Sequence, residues 1–244
     1  MSQIQQPLIG KNVNISKTAI INNNVIIEDN VTIDDYCILG SNNPSDYNLK
    51  TIIHNDVKIN SHAIIHKDTS VGEKTIIGHH TLIREKTLIE NNVQIGSFSD
   101  IEGNSKIEKY TKLHSNVHVG QNSHIMSFCW LFPYVILTND PIPPSEIRMG
   151  VIVEPFSIIC TRSTVLPGKK IGFGSLVGAN SLVNKNLDSE TIGSGNPFKV
   201  RGDISLIKIP GTKKNAYPWT GRFEKDYPKN IEEIYKSIKK NLNL

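Results

Sequence analysis

The stretch TSVGEKTIIGHHTLIREKTLIENNVQIGSFSDIEG, residues 69–103, repeats with a period of six. Every sixth residue from Val71 to Ile101 is Val or Ile, and the residue two positions before each of these is Thr, Val or Ser. Two inward positions separated by one outward position is the alternation of a β-strand, and no helical period produces it. Each hexad therefore predicts one short strand followed by a corner.

The same phase continues along most of the chain, over residues 15–39, 53–137 and 153–183. Lys169 is the one exception in the column of small or β-branched residues. Three hexads close a coil, so the pattern predicts an all-β, three-sided parallel β-helix of roughly eight or nine coils stacked about 4.8 Å apart. Abundant Asn suits its tight corners, because Asn tolerates left-handed backbone. The period does not set the handedness of the coil.

Composition and charge restrict the class of protein. The chain has 244 residues, 38% of them apolar, which is enough for a sizeable core. A net charge of +4 without a basic run does not favour nucleic-acid binding. No apolar stretch approaches the ~20 residues of a membrane span, and no signal peptide is visible at the N-terminus. Cys37, Cys129 and Cys160 form no CxxC pair and indicate free thiols, so we expect a cytoplasmic protein.

Two loops interrupt the repeat, at residues 40–50 and 138–150. The second, TNDPIPPSEIRMG, contains three prolines, which cannot serve in a central ladder. A loop expelled from a regular coil favours a functional role for 138–150, with a tolerated surface insertion as the alternative. For the 40–50 loop, a functional role and a tolerated surface insertion are equally favoured.

The repeat ends after Val183, and we expect a β-helix domain over residues 1–200 and a C-terminal extension over 201–244. From about 229 to 241, the spacing of Ile231, Ile234, Tyr235 and Ile238 predicts a short amphipathic helix. A solenoid end exposes unpaired strand edges, so this helix is expected to act as a cap or a subunit contact.

Residues 18 apart lie one coil apart, which predicts a polar cluster on one face. Asp100, Glu102 and His118 should share this face, with Asn139 and Asp140 at the start of the adjoining loop, all within about 10 Å along the axis. Polar groups that converge beside an expelled loop are typical of a functional site.

The neighbouring residues add to this cluster and also offer a plainer explanation. The corner that leads into the face holds His80 and His114, and Arg84 lies one coil below Glu102. Pairs such as Arg84 with Glu102, or Asp100 with His118, are alternatively surface ion pairs that contribute little.

The hexads TSVGEK, NVQIGS and GSLVGA resemble those of hexapeptide-repeat acyltransferases, whose known members fold as left-handed β-helices. The resemblance covers about residues 10–200. VILTNDPIPPS, residues 135–145, is similar to the TND-containing loop of bacterial nucleotide-sugar N-acyltransferases, and residues 82–103 resemble a neighbouring stretch of that group. The resemblance implies acetyl-CoA as donor, an amino-deoxy nucleotide sugar of surface-glycan biosynthesis as acceptor, and active sites between the subunits of a homotrimer. No histidine follows Ile125, so the histidine-bearing loop of the O-acetyltransferase branch is absent.

This resemblance implies direct transfer, in which the acceptor amine attacks the thioester carbonyl and a backbone N–H stabilises the oxyanion. Carboxylates would hold and orient the acceptor ammonium, and a histidine would take its proton. The candidate catalytic residues are Asp100, Glu102, His118 and His114. The candidate acceptor-binding residues are Asn139, Asp140, Arg84 and His80, and Asp140 is a third carboxylate that could hold the amine.

The donor is expected along the C-terminal coils, where small residues at stacked corners let a pantetheine arm approach the backbone. GSGNPFKVR, residues 193–201, resembles the family's GNPA segment near the coenzyme, with Phe198 in place of the usual Ala. Lys199 and Arg201 are cations that suit the coenzyme phosphates, or else solvated charges on an exposed tail. The candidate coenzyme-binding residues are Cys160, Gly178, Ala179, Asn196, Pro197, Lys199 and Arg201.

Three other functions remain open at this point. Sugar O-acetylation, or transfer from acyl carrier protein, would use the same fold. A γ-class carbonic anhydrase would need three histidines converging on zinc, and the spacing of His79, His80, His114 and His118 does not match that pattern, so no metal is expected. A non-catalytic β-solenoid would tend to have regular flat faces, against which the two loops argue.

Overall fold

The computed structural model describes residues 6–41, 49–222 and 226–244. Successive hexads contribute strands to three sheets in turn, which form the sides of a triangular prism, here called sheets A, B and C. Strands one coil apart pair in parallel, as Asp100–Ile101 does with Leu82–Ile83 and His118–Val119. The predicted solenoid is confirmed, with about ten turns where the sequence indicated eight or nine.

The described strands of each sheet follow in chain order. Sheet A comprises Leu8–Ile9, Val25–Ile27, Thr51–Ile53, Thr69–Val71, Thr87–Ile89, Lys106–Ile107, His124–Ile125, Ile152–Val153 and Lys170–Ile171. Sheet B comprises Asn14–Ile15, Thr32–Ile33, Lys58–Ile59, Ile76–Ile77, Gln94–Ile95, Lys112–Leu113, Trp130–Leu131, Ile158–Ile159, Leu176–Val177, Thr191–Ser194 and Lys199–Asp203. Sheet C comprises Ile20–Ile21, Ile38–Ser41, Ile64–His66, Leu82–Ile83, Asp100–Ile101, His118–Val119, Ile136–Leu137, Thr164–Val165 and Leu182–Val183.

The two predicted columns fill the interior of the prism. Ile101, Val119 and Leu137 are aligned on successive strands and are fully buried. Hydroxyls of the small column bond to the neighbouring coil: Thr111 Oγ1 donates to the Met126 carbonyl at 2.8 Å and Ser157 Oγ donates to the Gly172 carbonyl at 2.7 Å, whereas the buried Thr87 hydroxyl has no partner among the described residues. Thr and Ser suit this column because the hydroxyl finds a carbonyl of the next coil and remains hydrogen-bonded when buried.

Most corners of the described coils use left-handed backbone, as the abundance of Asn predicted. Asn92 and Asn104 have φ values of 59° and 55°. Aromatic residues take the same backbone conformation, as Phe98 does at φ 59°, which was not predicted from the sequence. Such a residue carries backbone strain, and ring stacking between coils offsets part of it, as between His80 and Phe98 at 4.9 Å.

The interrupted coils keep their register. Val25–Ile27 pairs with Thr51–Ile53, and His124–Ile125 pairs with Ile152–Val153, so neither loop breaks the core columns. Residues 42–48 lie outside the described residues, so the prediction for the 40–50 loop stays a prediction.

A shortened last coil explains why the period was lost after Val183. Ile171 bridges Leu187 rather than the residue two positions later, and Val177 lies opposite Gly193. Strand Lys199–Asp203 then runs antiparallel to Thr191–Ser194. Phe198, at the turn of this hairpin, is only 5% exposed and belongs to the core cluster, so the hairpin closes the end of the prism.

The C-terminal extension contains two 3-10 helices, Ile204–Leu206 and Trp219–Arg222, and the helix Ile231–Asn241, here called α1. The predicted helix is confirmed: α1 packs on the flank of the prism rather than across its end, and its alternative role as a subunit contact stays a prediction. Tyr235 lies 4.9 Å from the rings of both Phe156 and Phe173 and donates its hydroxyl to Glu190 at 3.0 Å. Within the described ranges, neither α1 nor any 3-10 segment has the length and apolarity of a membrane-crossing helix.

Candidate functional site

Sheet C carries the predicted polar cluster, here called the carboxylate patch and defined by Arg84, Asp100, Glu102, His118 and Asn139. Arg84 Nη2 lies 2.8 Å from Asp100 Oδ2, and Arg84 Nη1 lies 3.8 Å from Glu102 Oε1. The His118 ring sits between the carboxylates, with Nδ1 3.9 Å from Asp100 Oδ2 and Nε2 4.0 Å from Glu102 Oε1. The structure thus brings these side chains together as the stacking argument predicted.

The start of the 138–150 loop is tied to this patch. Asn139 Nδ2 donates to Glu102 Oε2 at 2.6 Å, and the Gln121 N–H donates to the same oxygen at 3.0 Å. Gly120 makes room for the loop, because a Cβ there would lie 2.6 Å from the Leu137 carbonyl oxygen and 3.1 Å from Asn139 Cβ. Glu102 is therefore a positioned carboxylate rather than a freely moving surface charge.

Asp100 retains one oxygen for a further partner. Its Oδ2 accepts from Arg84, whereas its Oδ1 is buried and has no hydrogen-bond partner among the described residues. Buried carboxylate oxygens are nearly always hydrogen-bonded, so this atom indicates a place for an additional donor.

Asp140 is turned into its own loop and not onto the patch. It accepts hydrogen bonds from Ser145 Oγ at 2.6 Å, the Ser145 N–H at 2.9 Å and the Ile142 N–H at 3.1 Å. The Ser145 hydroxyl, more than any other contact, holds the pKa of this carboxyl below its usual range. The expectation that Asp140 joins the cluster is corrected to a role in shaping the loop.

His80 lies on the exposed corner between sheets B and C. Its ring stacks on His62 at 4.5 Å and on Phe98 at 4.9 Å, and Tyr36 continues the stack beyond His62 at 5.0 Å. These contacts place His80 in an aromatic ladder along the corner, outside the carboxylate patch.

Sheet B carries a groove of about 490 Å³, here called the sheet B groove, whose lining includes Gly78, Gly96, Lys112, His114 and Trp130. The glycines let neighbouring coils close up, since a Cβ on Gly78 would lie 2.4 Å from the Ser97 nitrogen. This groove was not among the sites predicted from the sequence. The two glycines 18 positions apart, directly below His114 in the same column, were the available signal.

His114 belongs to the sheet B groove, across the corner from the carboxylate patch with which it was grouped. Its ring stacks on Phe132 at 4.7 Å and lies 5.9 Å from the Trp130 ring. Burial, and secondarily the Lys112 charge, lower the pKa of His114. An imidazole that stays neutral near physiological pH can act as a proton acceptor.

The expected coenzyme residues continue the column that contains His114. Because Leu113, Leu131, Ile159 and Val177 are aligned on successive strands, the residues that follow them stack in the same order. These stacked residues are His114, Phe132, Cys160 and Gly178, and exposed Ala179 adjoins Gly178 at the corner. Burial raises the pKa of the Cys160 thiol, so this cysteine is a neutral wall residue and not a nucleophilic thiolate.

The GNPF segment lies at the C-terminal end of this column. A Cβ on Gly178 would lie 2.8 Å from Ser194 Cβ, and Arg201 Nε donates to Ser194 Oγ at 2.8 Å. Asn196, Pro197 and Lys199 are exposed on the same hairpin. Two cations therefore stand near the column on the side away from His114.

No family model matches the chain, but solved structures share its fold. The solved structure of LpxA from Acinetobacter baumannii superposes with a TM-score of 0.59 at 20% identity, covering 92% of this chain and 83% of that one. LpxA from Bacteroides fragilis, a UDP-N-acetylglucosamine acyltransferase, superposes with a TM-score of 0.57 at 15% identity, covering 98% of this chain and 83% of that one. The chain is a hexapeptide-repeat left-handed β-helix.

Curated sequences also match this left-handed β-helix over part of its length. Chloramphenicol acetyltransferases from Escherichia coli and Klebsiella aerogenes are 28% identical over 88 residues and 30% identical over 90 residues. These matches cover 34% and 35% of this chain, which spans less than half of the two relatives, 42% and 43%. The predicted resemblance to the acyltransferases of this fold is confirmed.

Proposed function

We propose that this left-handed β-helix is an acyltransferase that moves an acyl group from a coenzyme A thioester to the amine of an amino-deoxy nucleotide sugar. Its similarity to acyltransferases in fold and sequence supports this reaction class. The observation that carries the proposal is a pair of complementary half-sites on adjoining faces: a groove with a neutral imidazole on sheet B, and a carboxylate patch with an unpartnered oxygen on sheet C.

The patch suits an amine. Two carboxylates, Asp100 and Glu102, face one guanidinium, Arg84, so the patch attracts a cation. The ammonium would pair with the exposed parts of the Asp100 and Glu102 carboxylates, and Asn139 would keep Glu102 in place. His118, between the two carboxylates, would complete the wall of this acceptor site.

The chemical step then follows from the neutral imidazole. The bound ammonium gives one proton to solvent, and the lone pair of the resulting amine attacks the thioester carbonyl carbon to form the C–N bond. Collapse of the tetrahedral intermediate breaks the C–S bond. A second proton passes from nitrogen to the His114 imidazole and from there to the departing sulfur, so the products are the N-acyl sugar and free coenzyme A.

The donor would lie along the column that runs from His114 towards the C-terminal coils. From His114 to Ser194, beside Arg201, there are four strand spacings, about 19 Å in all. The pantetheine arm would pass Cys160, Gly178 and Ala179, where side chains are small. Arg201 and Lys199 would meet the phosphates, and Asn196 and Pro197 would line their approach.

The two half-sites face different sides of one prism, so a single chain cannot close them on one another. A cyclic oligomer with a heterologous interface would join the groove of one copy to the patch of the next. We propose a homotrimer with one active site at each of its three interfaces, working in the cytoplasm.

The test is a transfer screen with acetyl-CoA and several amino-deoxy nucleotide sugars, following release of the coenzyme thiol. The expected result is thiol release that requires the sugar amine and falls by at least about a hundredfold in the double variant Asp100→Asn, Glu102→Gln. Glu108→Gln is the matched control, because Glu108 accepts from His124 at 2.8 Å on sheet A, away from both half-sites.

No thiol release with any amino sugar, or equal rates in the double variant and the wild type, would overturn the proposed function. Transfer only to sugars that carry a hydroxyl in place of the amine would replace N-acylation with O-acylation.

A further inference from the structure

A small apolar cavity lies beside the sheet B groove, where the C-terminal extension docks on the prism. It has a volume of about 100 Å³ and is here called the aromatic chamber, lined by Trp130, Phe132, Ile158, Tyr217, Trp219 and Arg222. Three of these residues come from sheet B and three from the extension. The cavity therefore exists only because the extension packs against the solenoid.

The chamber is a preformed feature of the fold. Trp219 is 2% exposed and meets Trp130 edge-on at 6.0 Å, while Lys112 lies 5.0 Å from the Trp130 ring and 2.6 Å from Asp226 of the extension. The Arg222 guanidinium lies 5.7 Å from the Tyr217 ring and donates to the Ala216 carbonyl at 2.7 Å. The one charged side chain in the lining is thus held by contacts within the extension, and the walls are otherwise aromatic or aliphatic.

The chamber adjoins the reacting position. Phe132, in its wall, stacks on His114 at 4.7 Å, and Trp130 lines both the chamber and the groove. Apolar cavities stay dry and bind apolar groups, and unfilled volume in a core is destabilising. Because the aromatic chamber is apolar and adjoins His114, the proposed base, it suits the apolar part of a substrate.

We infer that the aromatic chamber holds the hydrocarbon tail of the donor acyl group and sets its length. This inference rests on the proposed function. An apolar cavity of about 150 Å³ holds the six carbons of benzene, so this chamber has room for roughly four. The thioester carbonyl stays beside His114 while the tail passes Trp130 and Phe132 into the chamber. The preferred donor is then a short acyl-CoA longer than acetyl.

The first experiment uses the wild-type protein and needs no acceptor. The chain has two tryptophans, and both line the chamber. Titration with butyryl-CoA is expected to shift or quench tryptophan emission more than titration with free coenzyme A. Equal responses to butyryl-CoA and free coenzyme A would overturn the inference.

The second experiment measures kcat/KM with acetyl-, propionyl-, butyryl- and hexanoyl-CoA. Each buried methylene is expected to raise kcat/KM about fourfold up to butyryl-CoA, with a fall at hexanoyl-CoA. Ile158→Ala enlarges the chamber by removing three carbons and should raise the hexanoyl-to-acetyl ratio about tenfold or more.

Leu176→Ala is the matched control for that substitution. Leu176 pairs with Ile158 one coil further along sheet B and is buried to a similar degree, but it does not line the chamber. The hexanoyl-to-acetyl ratio should not change in this variant. Equal ratios in the two variants would overturn the chamber assignment even with transfer intact, whereas a failed proposed function would leave no transfer from any acyl-CoA.

Discussion

A site shared between copies makes a prediction that few other arrangements make: two inactive variants should restore activity when they assemble together. The groove variant is His114→Asn, which removes the proton acceptor from sheet B. The patch variant is Asp100→Asn with Glu102→Gln, which removes both carboxylates from sheet C. Each variant alone is expected to show almost no transfer, because every one of its sites lacks the same half.

The size of the rescue follows from the heterologous interface. Each site takes its groove from one copy and its patch from the next copy around the ring. With equal expression and random assembly, half of the grooves and half of the patches are intact, so about one quarter of the sites carry both. In trimers selected to contain both variants, one interface of the ring is intact and the recovery rises to about one third.

The assay is co-expression of the two variants with different affinity tags, followed by measurement of kcat per chain before and after selection on both tags. Protein mixed after separate purification is the control, because assembled rings have not exchanged subunits. Co-expressed protein that is no more active than either variant alone would refute the shared site and place both half-sites in one chain.

Three further perturbations test individual contacts. The acid limb of the kcat/KM profile should lie below the usual histidine pKa of about 6.5, because burial lowers the pKa of His114 and activity is lost only as it becomes protonated. Phe198→Ala should lower the free energy of unfolding by about 3–5 kcal/mol in urea, because the ring closes the core at the hairpin. Asp140→Asn should speed tryptic cleavage after Arg148, since Asp140 holds Ser145 in the loop.

Each of these outcomes has a clear opposite. An acid limb above 6.5 would remove His114 as the acceptor, and unfolding unchanged by Phe198→Ala would mean that the hairpin does not close the prism. The Asp140 carboxyl has a lowered pKa in the folded chain, so its hold on the loop is complete above the ordinary Asp pKa and is lost as the pH falls through the lowered value. An Asp140→Asn variant that trypsin cleaves no faster than the wild type would contradict that hold.

The sequence predicted the prism well because its period depends only on which residues face inward. Buried Ile101 and its stacked neighbours occupy the predicted column, and that alignment alone was enough to bring Asp100, Glu102 and His118 together. The hexads also supplied the position of the 138–150 loop, since a strand pattern that stops and resumes in register marks an insertion.

What the sequence could not predict depends on contacts that have no period. Asp140 was grouped with the patch because it follows Asn139, but two backbone N–H groups and a hydroxyl within the loop draw its carboxylate inward. His114 was grouped with the patch because it lies at the corner that leads into that face, and a turn of left-handed backbone at Asn116 separates it from His118. The aromatic chamber forms only where the C-terminal extension folds back onto sheet B, and the hexad pattern contains no information about that contact.

A repetitive fold must create a site by varying residues along one column, because the backbone offers the same geometry at every coil. The column at the end of sheet B runs from Gly78 and Gly96 to His114 and Phe132, then to Cys160 and Gly178. In this order, the glycines would open the groove, the His114 imidazole would supply the base and the Phe132 ring would form a wall of the aromatic chamber. Cys160 and Gly178 would leave space for the pantetheine arm. The order of these side chains along about five strand spacings would thus decide where along the prism the acceptor and the donor bind.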